Sequence, residues 1–419
     1  MKNKLRLVVV EPANGGGLVH YAYQLCTALA NEGVDVTLIT GTEYELANYP
    51  HNFHLARMLR LWSGFDKQPA SVNRSYIVHF LAKAFRQLRR AVRGVRLVAA
   101  WIRLTSFLFR LKPDIIQFTR IEFPFEVLFM KYLRRRGFVL TQICHEFEER
   151  ESQGWLSSLL WRFVGGSHDY FSAIFFHASE NRGRFLSIYP SVPEKITHII
   201  PHGNSRWLLD ILARPVDSLR RQYGFSEGER VVLFFGLLAP SKGVEDLIDA
   251  FAIASRECSA KLVIAGYPTK HIDLNKLRAR VETHGITDRV IFDPRYIPLE
   301  EINPLMRLST VVVYPYRSST QSGALQAAYI FSRPVIATAV GGLPEAVEDG
   351  RSGFLVCPES PRELAEKIIT LINDTDLASK MGEYARHLAE TRFSWQAIAR
   401  QIVSIYEPLQ KTGSTQRSG

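Results

Sequence analysis

Short apolar runs rich in β-branched residues recur along the chain, separated by stretches of helical length. RLVVVE, VDVTLIT, DIIQF, FVLTQIC, AIFFHAS and ITHIIP come before about residue 201, and VVLFFG, KLVIAG, RVIFDP, VVVYPY, PVIAT and GFLVC follow it. These runs lack strict alternation of polar with apolar positions, which is the pattern of strands covered on both faces by helices. The pattern therefore predicts two parallel α/β sheets. Pro and Gly interrupt it at PHGNS, 201–205, and a new strand-helix series starts at Val231, so the boundary is expected there, with the hinge at about 202–206. The expected division is a first α/β domain over 1–203 and a second over 204–392. Beyond it, Trp395, Ile398, Ile402 and Ile405 stand at helical spacing, predicting an amphipathic helix over 393–411 that packs back toward the first domain. The polar residues 412–419 read as a disordered tail.

A chain of 419 residues suggests two or three domains at about 150 residues each, and two is the expected number. The four cysteines, Cys26, Cys144, Cys258 and Cys357, lie far apart without a C-x-x-C pair, which speaks against a zinc site or a disulfide framework and for a reducing cytoplasm. The basic residues and apolar run at the N-terminus lead straight into a Gly-rich turn, so they read as a first strand rather than a signal peptide. The longest candidate span, 97–111, is broken by Arg103 and Arg110 and falls short of the roughly 20 apolar residues a bilayer requires. A formal charge of +11 points to an anionic partner.

Chemistry is expected where strands end in turns that open helices. The first strand runs into NGGG, 14–17, whose backbone amides face a ligand at a helix N-terminus. The spacing misses G-x-G-x-x-G and no acidic residue ends the second strand, which disfavours a dinucleotide. In the second half, one strand ends at Gly236 and Lys242-Gly243 open the next helix. A lysine opposes the helix dipole at that place unless an anion shares it, which makes Lys242 a candidate phosphate partner. SSTQSG at 318–323 and AVGGLPE at 339–345 are two further turns. In an open parallel sheet all three lie outside the carboxyl ends of the strands, where ligands bind.

The order NGGG-x-x-x-Y, KPD at Lys112, CHEF at Cys144, KITHIIPHGN at Lys195, FFG-x5-KG at Phe234, VIAGYP at Val263, VVVYPYRSSTQSG at Val311, RPVIATAVGGLPEAVEDGRSGFLV at Arg333 and PRELAEKI at Pro361 resembles the retaining family-four (group 1) glycosyltransferases. The resemblance covers nearly the whole chain, and 311–356 carries it most specifically. It implies a GT-B fold, with two Rossmann-like domains facing one cleft, the first holding the acceptor and the second a nucleotide sugar, with no metal or other cofactor required. Carried over by position, Lys242 would neutralise the donor diphosphate and His145 would lie beside the reacting sugar. Gly16 and Gly17 would form the loop near the phosphates. Gly236, Ser319, Thr320, Gln321, Ser322, Gly323 and Gln326 would line the donor site. His202, in the PHG segment, reads as structural.

The chain departs from the family at two places. Where members carry a pair of glutamates at the third turn, this sequence holds Ser319 and Ala327, or Ser318 and Gln326, depending on the alignment. The arginine that usually precedes the lysine is replaced by Leu237 or Ala239, so one diphosphate cation is missing. The Gln326 amide is a weaker, neutral substitute for a ribose-binding carboxylate.

The expected activity is transfer of a hexose-like sugar, with retention, from a UDP- or GDP-type donor to a glycan or lipid-linked acceptor in surface polysaccharide synthesis. One rival is a degenerate GT-B protein that binds nucleotide sugar as a sensor or scaffold. A nucleic-acid binder is the other, and it is disfavoured because the basic residues are not interleaved with stacking aromatics in any known pattern.

Between Asp66 and Asp114 there is no other acidic residue. Arg86, Arg89, Arg93, Arg96, Arg103 and Arg110 recur at helical spacing, and Phe85, Leu88, Val92, Val95, Ala99, Ile102 and Phe109 repeat the rhythm one residue earlier. On a helix this sets an apolar stripe beside a cationic one, as on an interfacial helix, and points to attachment to an anionic membrane at the inner face of the cytoplasmic membrane. The alternative is an ordinary helix with its apolar face on the core and its arginine face in water, which predicts no lipid binding.

Overall fold

The computed structural model describes residues 4–59, 76–121, 123, 125–147 and 166–417, with the side chains of 76–93 and 412–417 outside the described ones. The first half runs β1 (Arg6–Val10), α1 (Gly17–Asn31), β2 (Asp35–Gly41), β3 (His54–Leu59), α2 (Tyr76–Leu111), β4 (Ile115–Phe118), α3 (Glu126–Arg135), β5 (Val139–Ile143), β6 (Ala173–Phe176), α4 (Ser179–Ile188) and β7 (Thr197–Ile199). The second runs α5 (Val216–Tyr223), β8 (Val231–Phe235), α6 (Val244–Ala254), β9 (Lys261–Ala265), α7 (Leu274–Thr283), β10 (Val290–Asp293), α8 (Leu299–Leu308), β11 (Val311–Tyr314), α9 (Gly323–Ile330), β12 (Val335–Thr338), α10 (Leu343–Ala346), β13 (Gly353–Val356), α11 (Pro361–Asn373), α12 (Thr375–Glu390) and α13 (Trp395–Arg417).

Among the described residues the strands form two sheets, ordered β3-β2-β1-β4-β5-β6-β7 and β10-β9-β8-β11-β12-β13. The pairs in both are parallel, as the unbroken apolar runs predict. Central strands such as β4 and β11 are buried at every position, because helices cover both faces. β3 was not foreseen. Its HLARML sequence is only partly buried, and it pairs with β2 at the edge of its sheet, where a half-polar strand is tolerated.

In each sheet the chain order reverses beside the first strand of the unit, between β1 and β4 and between β8 and β11. The crevice at such a switch point is where an open α/β sheet takes its ligand. Here NGGG follows β1, while the Lys242 and SSTQSG turns follow β8 and β11.

The last helix, α13, crosses from the second domain onto the first. Trp395 Nε1 donates to Gln24 Oε1 at 3.0 Å and to Asn204 O at 2.7 Å. The buried Tyr406 hydroxyl meets Thr141 and Gln117 under the first sheet, and Gln410 donates to Asp114. Helical backbone continues to Arg417, a correction to the disordered tail read from the polarity of 412–419. The helix is already ordered by these anchors when it reaches that segment, so adding residues to it requires no new nucleation.

α2 has the arrangement of the alternative given for the basic segment, an apolar face on the core and its described arginines in water, although its core face is not the stripe named above. It is one continuous helix through Gly94. Its core contact is made by Leu97, Ala100, Trp101, Leu104 and Leu108, leaving Val95 and Ile102 of the other apolar stripe 71% and 54% exposed. The side chains of Arg86, Arg89 and Arg93 lie outside the described ones; Arg96 and Arg103 are exposed.

Candidate active site

The turns of the second domain converge because their glycines allow it. Gly243 adopts φ 62°, and a Cβ there would stand 1.9 Å from Pro315 O, so the turn after β8 packs directly on the end of β11. Gly341, at φ 53°, brings AVGGLPE against the third turn, with Ser319 O only 1.6 Å from where a Cβ would be. Any side chain at either position would be strained by the backbone and would clash.

On this platform Lys242 lies over the Tyr316 ring, with Nζ 3.8 Å from its centroid. This cation–π contact aims the ammonium. The Tyr316 hydroxyl stands 3.3 Å from Ser322 Oγ, and burial pushes it up to about 12 despite that hydrogen bond, so it stays protonated. Ser322 is the N-cap of α9, accepting from Leu325 N at 3.3 Å. Gly236, at the end of β8, faces the same hydroxyl. Lys242, Gly236, Ser322 and Gly323 are thus brought together at the N-terminus of α9, where free amides and the helix dipole favour an anion. Gln326, one turn into the helix, is 1% exposed and its Oε1 has no hydrogen-bond partner; Gln321 Oε1 is likewise buried without one.

Two of the expected donor-site hydroxyls are engaged elsewhere. Ser319 Oγ donates to Gln321 O, and Thr320 Oγ1 donates to His145 O of the first domain at 2.6 Å. The third turn is held against the first domain there, with Asn181 Nδ2 donating to Thr320 O. Glu345 accepts from Ser179 N at 2.7 Å, so the first turn of α4 is capped by a carboxylate from the other domain.

Across the cleft, His145 follows β5 and is 4% exposed, and neither ring nitrogen has a partner. Its ring lies edge-on to Tyr21 of α1 at 4.7 Å and 5.1 Å from His177, which in turn lies 5.1 Å from His202. Burial, then the neighbouring His177, His202 and Arg120, hold His145 well below the usual histidine range. A neutral ring with open valences at a domain junction can accept a hydrogen bond from a sugar hydroxyl or donate one to it.

Gly16 and Gly17 begin α1, and Gly17 opens to solvent with nothing near a would-be Cβ. The Gly16 amide is occupied by a residue that sequence reasoning missed. Glu45 Oε2 accepts from Gly16 N at 3.0 Å and meets His20 Nε2 at 3.0 Å, while its other oxygen takes the Tyr296 hydroxyl from the second domain. Burial pushes the Glu45 carboxyl up, but the His20, Tyr296 and Gly16 hydrogen bonds outweigh it and bring it down to about 2. Nothing in the sequence marks Glu45, since its partners come from three separate segments. His202, read from sequence as structural, also belongs to the site: its Cε1 and Nε2 stand 3.4 and 3.5 Å from where a Cβ on Gly323 would be.

Residues 15–204 match the model of the family described as Glycosyltransferase Family 4, and residues 229–374 match that of Glycosyl transferases group 1. Over 223 residues the chain is 32% identical to a D-inositol 3-phosphate glycosyltransferase of Corynebacterium glutamicum, covering 52% of this chain and 53% of the relative. It is 31% identical over 192 residues to an alpha-D-kanosaminyltransferase of Streptomyces kanamyceticus, covering 46% and 48%. The chain thus spans about half the length of the curated relatives it matches. Sucrose-phosphate synthase from Thermosynechococcus elongatus superposes with a TM-score of 0.70 at 20% identity over 97% of this chain and 99% of that one. Anabaena HepE in complex with UDP and glucose does so with 0.70 at 20% identity over 96% and 100%.

Proposed function

Because the chain belongs to the family-four, group 1 glycosyltransferases and has their GT-B fold, we propose that it transfers a hexose-like sugar, with retention, from a UDP- or GDP-type donor to a glycan or lipid-linked acceptor in surface polysaccharide synthesis. The observation that carries this reading is the convergence of Lys242, Tyr316, Ser322 and Gly323 on the N-terminus of α9. That constellation suits a departing diphosphate, whose growing charge it stabilises without proton transfer. His145 borders the sugar and the acceptor approaches from the first domain, so orientation supplies the rest of the rate. No metal is needed when the lysine and helix amides neutralise the diphosphate.

Thermal unfolding in the presence of UDP, GDP, ADP and their glucose or mannose conjugates tests the reading, since a ligand of the folded state raises the melting temperature by mass action. One nucleotide diphosphate and its conjugates are expected to stabilise the protein, and the conjugate to be consumed with release of the diphosphate once acceptor is supplied. Stabilisation without turnover on any acceptor would favour the sensor or scaffold; no stabilisation at all would refute the donor site.

We also propose that the enzyme works on an anionic membrane surface at the inner face of the cytoplasmic membrane, where a lipid-linked acceptor is found. Among the described residues no helix is long and apolar enough to cross a membrane. The supporting observation is a groove of about 540 Å³ between α2 and α3, lined by Val98, Ile102, Phe109, Leu128 and Tyr132 among others. Leu128 is 68% exposed, Arg96, Arg103 and Arg110 of α2 are exposed, and Arg136 stands over the ring of the groove residue Tyr132 at 5.2 Å. Each basic residue near an anionic leaflet contributes about 1 kcal/mol. The protein is expected to float with anionic liposomes at low salt and to be released as salt rises. Glutamate at Arg86, Arg89, Arg93 and Arg96 should abolish flotation. Protein that stays at the bottom of every gradient, or flotation unchanged by those substitutions, would refute the membrane reading.

A further inference from the structure

The donor site lacks one positive group of the family pattern, and a neutral imidazole stands beside the gap. Where that pattern has an arginine, this chain has an exposed Leu237 or a buried Ala239, and the nearby Arg317 guanidinium is held at 2.8–2.9 Å by both oxygens of Asp246. The imidazole of His202 stands instead against the first residue of α9. Its tautomer is fixed: Nδ1 lies 2.9 Å from Gly203 O, and because a carbonyl oxygen only accepts, Nδ1 carries the proton. The bare nitrogen is then Nε2, the atom 3.5 Å from the Gly323 Cβ position.

A lone pair is well placed beside a helix N-terminus, whereas an imidazolium there faces the positive end of the dipole. The other groups around the ring do not favour a cation either. Tyr21 from α1 lies 5.1 Å away, His177 from the end of β6 another 5.1 Å, and His145 with Arg120 behind it lies beyond His177. From the turn after β8, Lys242 reaches the same helix end through Tyr316 and Ser322. Burial holds His202 down at about 4, against the Gly203 hydrogen bond. The balance reverses once an anion sits on the α9 amides, because Nε2–H⁺ then faces negative charge. The buried, unpartnered Gln326 Oε1 one turn along the same helix independently marks this end of α9 as built for a ligand.

We propose that His202 is a ligand of the donor diphosphate that takes up one solvent proton on Nε2 as the diphosphate binds, so that donor binding is proton-coupled. This rests on the donor reading above and adds to it a residue and a pH dependence.

The test is calorimetric titration of UDP, and of GDP and ADP in turn, into the full chain at pH 6 in buffers of different ionisation enthalpy, because an adjacent anion raises a pKa by about 1–3 and His202 is held at about 4 without one. Wild type should take up about one proton more than His202→Gln, a difference that cancels the nucleotide's own titration. The variant should bind about tenfold more weakly at pH 6.5, the loss expected for one charge-assisted hydrogen bond. Lys242→Ala should bind weakly yet keep the uptake. Nitrogen-15 shifts of the wild-type histidines provide a check without any variant: one neutral, Nδ1-protonated ring should become an imidazolium on adding the diphosphate. If wild type binds but its uptake equals that of the variant, or if no ring becomes charged, the inference is overturned and the donor site stands. If no nucleoside diphosphate binds wild type, the donor reading fails and takes the inference with it.

Discussion

Alanine at Lys242 should lower donor-dependent turnover by about a hundredfold, the loss typical of removing one preorganised electrostatic stabiliser. The group removed is positioned rather than merely present: Nζ is stacked on Tyr316, whose hydroxyl reaches the α9 cap at Ser322. Gly243 packs the turn that carries it onto Pro315. Charge builds on the diphosphate as the sugar bond breaks, so the ammonium is worth more in the transition state than in the ground state. kcat should therefore fall along with donor affinity. Lys242 is part-exposed on a short turn, and a change there should leave stability within about 0.5 kcal/mol of wild type. Steady-state kinetics with a saturating acceptor, beside a melting curve, separate the two effects. Wild-type kinetics in a folded variant would remove Lys242 from the site.

The fold was legible in the sequence because the physics behind it is local. Continuous β-branched runs with helical spacers leave few architectures other than parallel sheets wrapped in helices. β3 escaped because HLARML is half polar and earns its place only by pairing with β2. At the site, the turns that follow strands could be read because their glycines, Lys242 and Ser322 stand in contiguous words. Glu45, Tyr296 and His202 could not. Glu45 depends on an amide from NGGG, an imidazole from α1 and a phenol from the other domain. His202 acquires its place only when the linker is folded against α9. Ser319 and Thr320 show the converse. Their hydroxyls looked available in the sequence but are used to hold the third turn together and to fasten it to the first domain.

The largest stability effect is expected from acid, and it originates in the first domain. His145, His168 and His177 are each 9% exposed or less, and burial holds His168 and His177 down at about 3 and His145 well below its usual value. In the unfolded chain the same rings titrate near 6.5. Between those limits the unfolded state binds more protons than the folded one, so stability must fall as pH is lowered from about 6.5 toward 3 and is fully present only above that window. From pH 7.5 to 5.5 each ring should cost about 1.4 kcal/mol, and with His202, held down at about 4, the four together about 5.5 kcal/mol, a large share of the 5–15 kcal/mol typical of a folded domain. Glu45, held down at about 2, belongs to a separate window: its stabilisation is present above its unfolded value near 4.3 and is lost only as pH falls toward 2. Urea unfolding at pH 7.5, 6.5 and 5.5 measures the slope. His168 bonds to Gln142 and packs on Phe185 and Tyr189, away from the cleft, so His168→Gln should remove about a quarter of the slope while leaving nucleotide binding unchanged. A stability independent of pH over this range would mean that the four rings are not kept neutral by the fold, and would take with it the neutral His145 on which the sugar-side reading of the cleft depends.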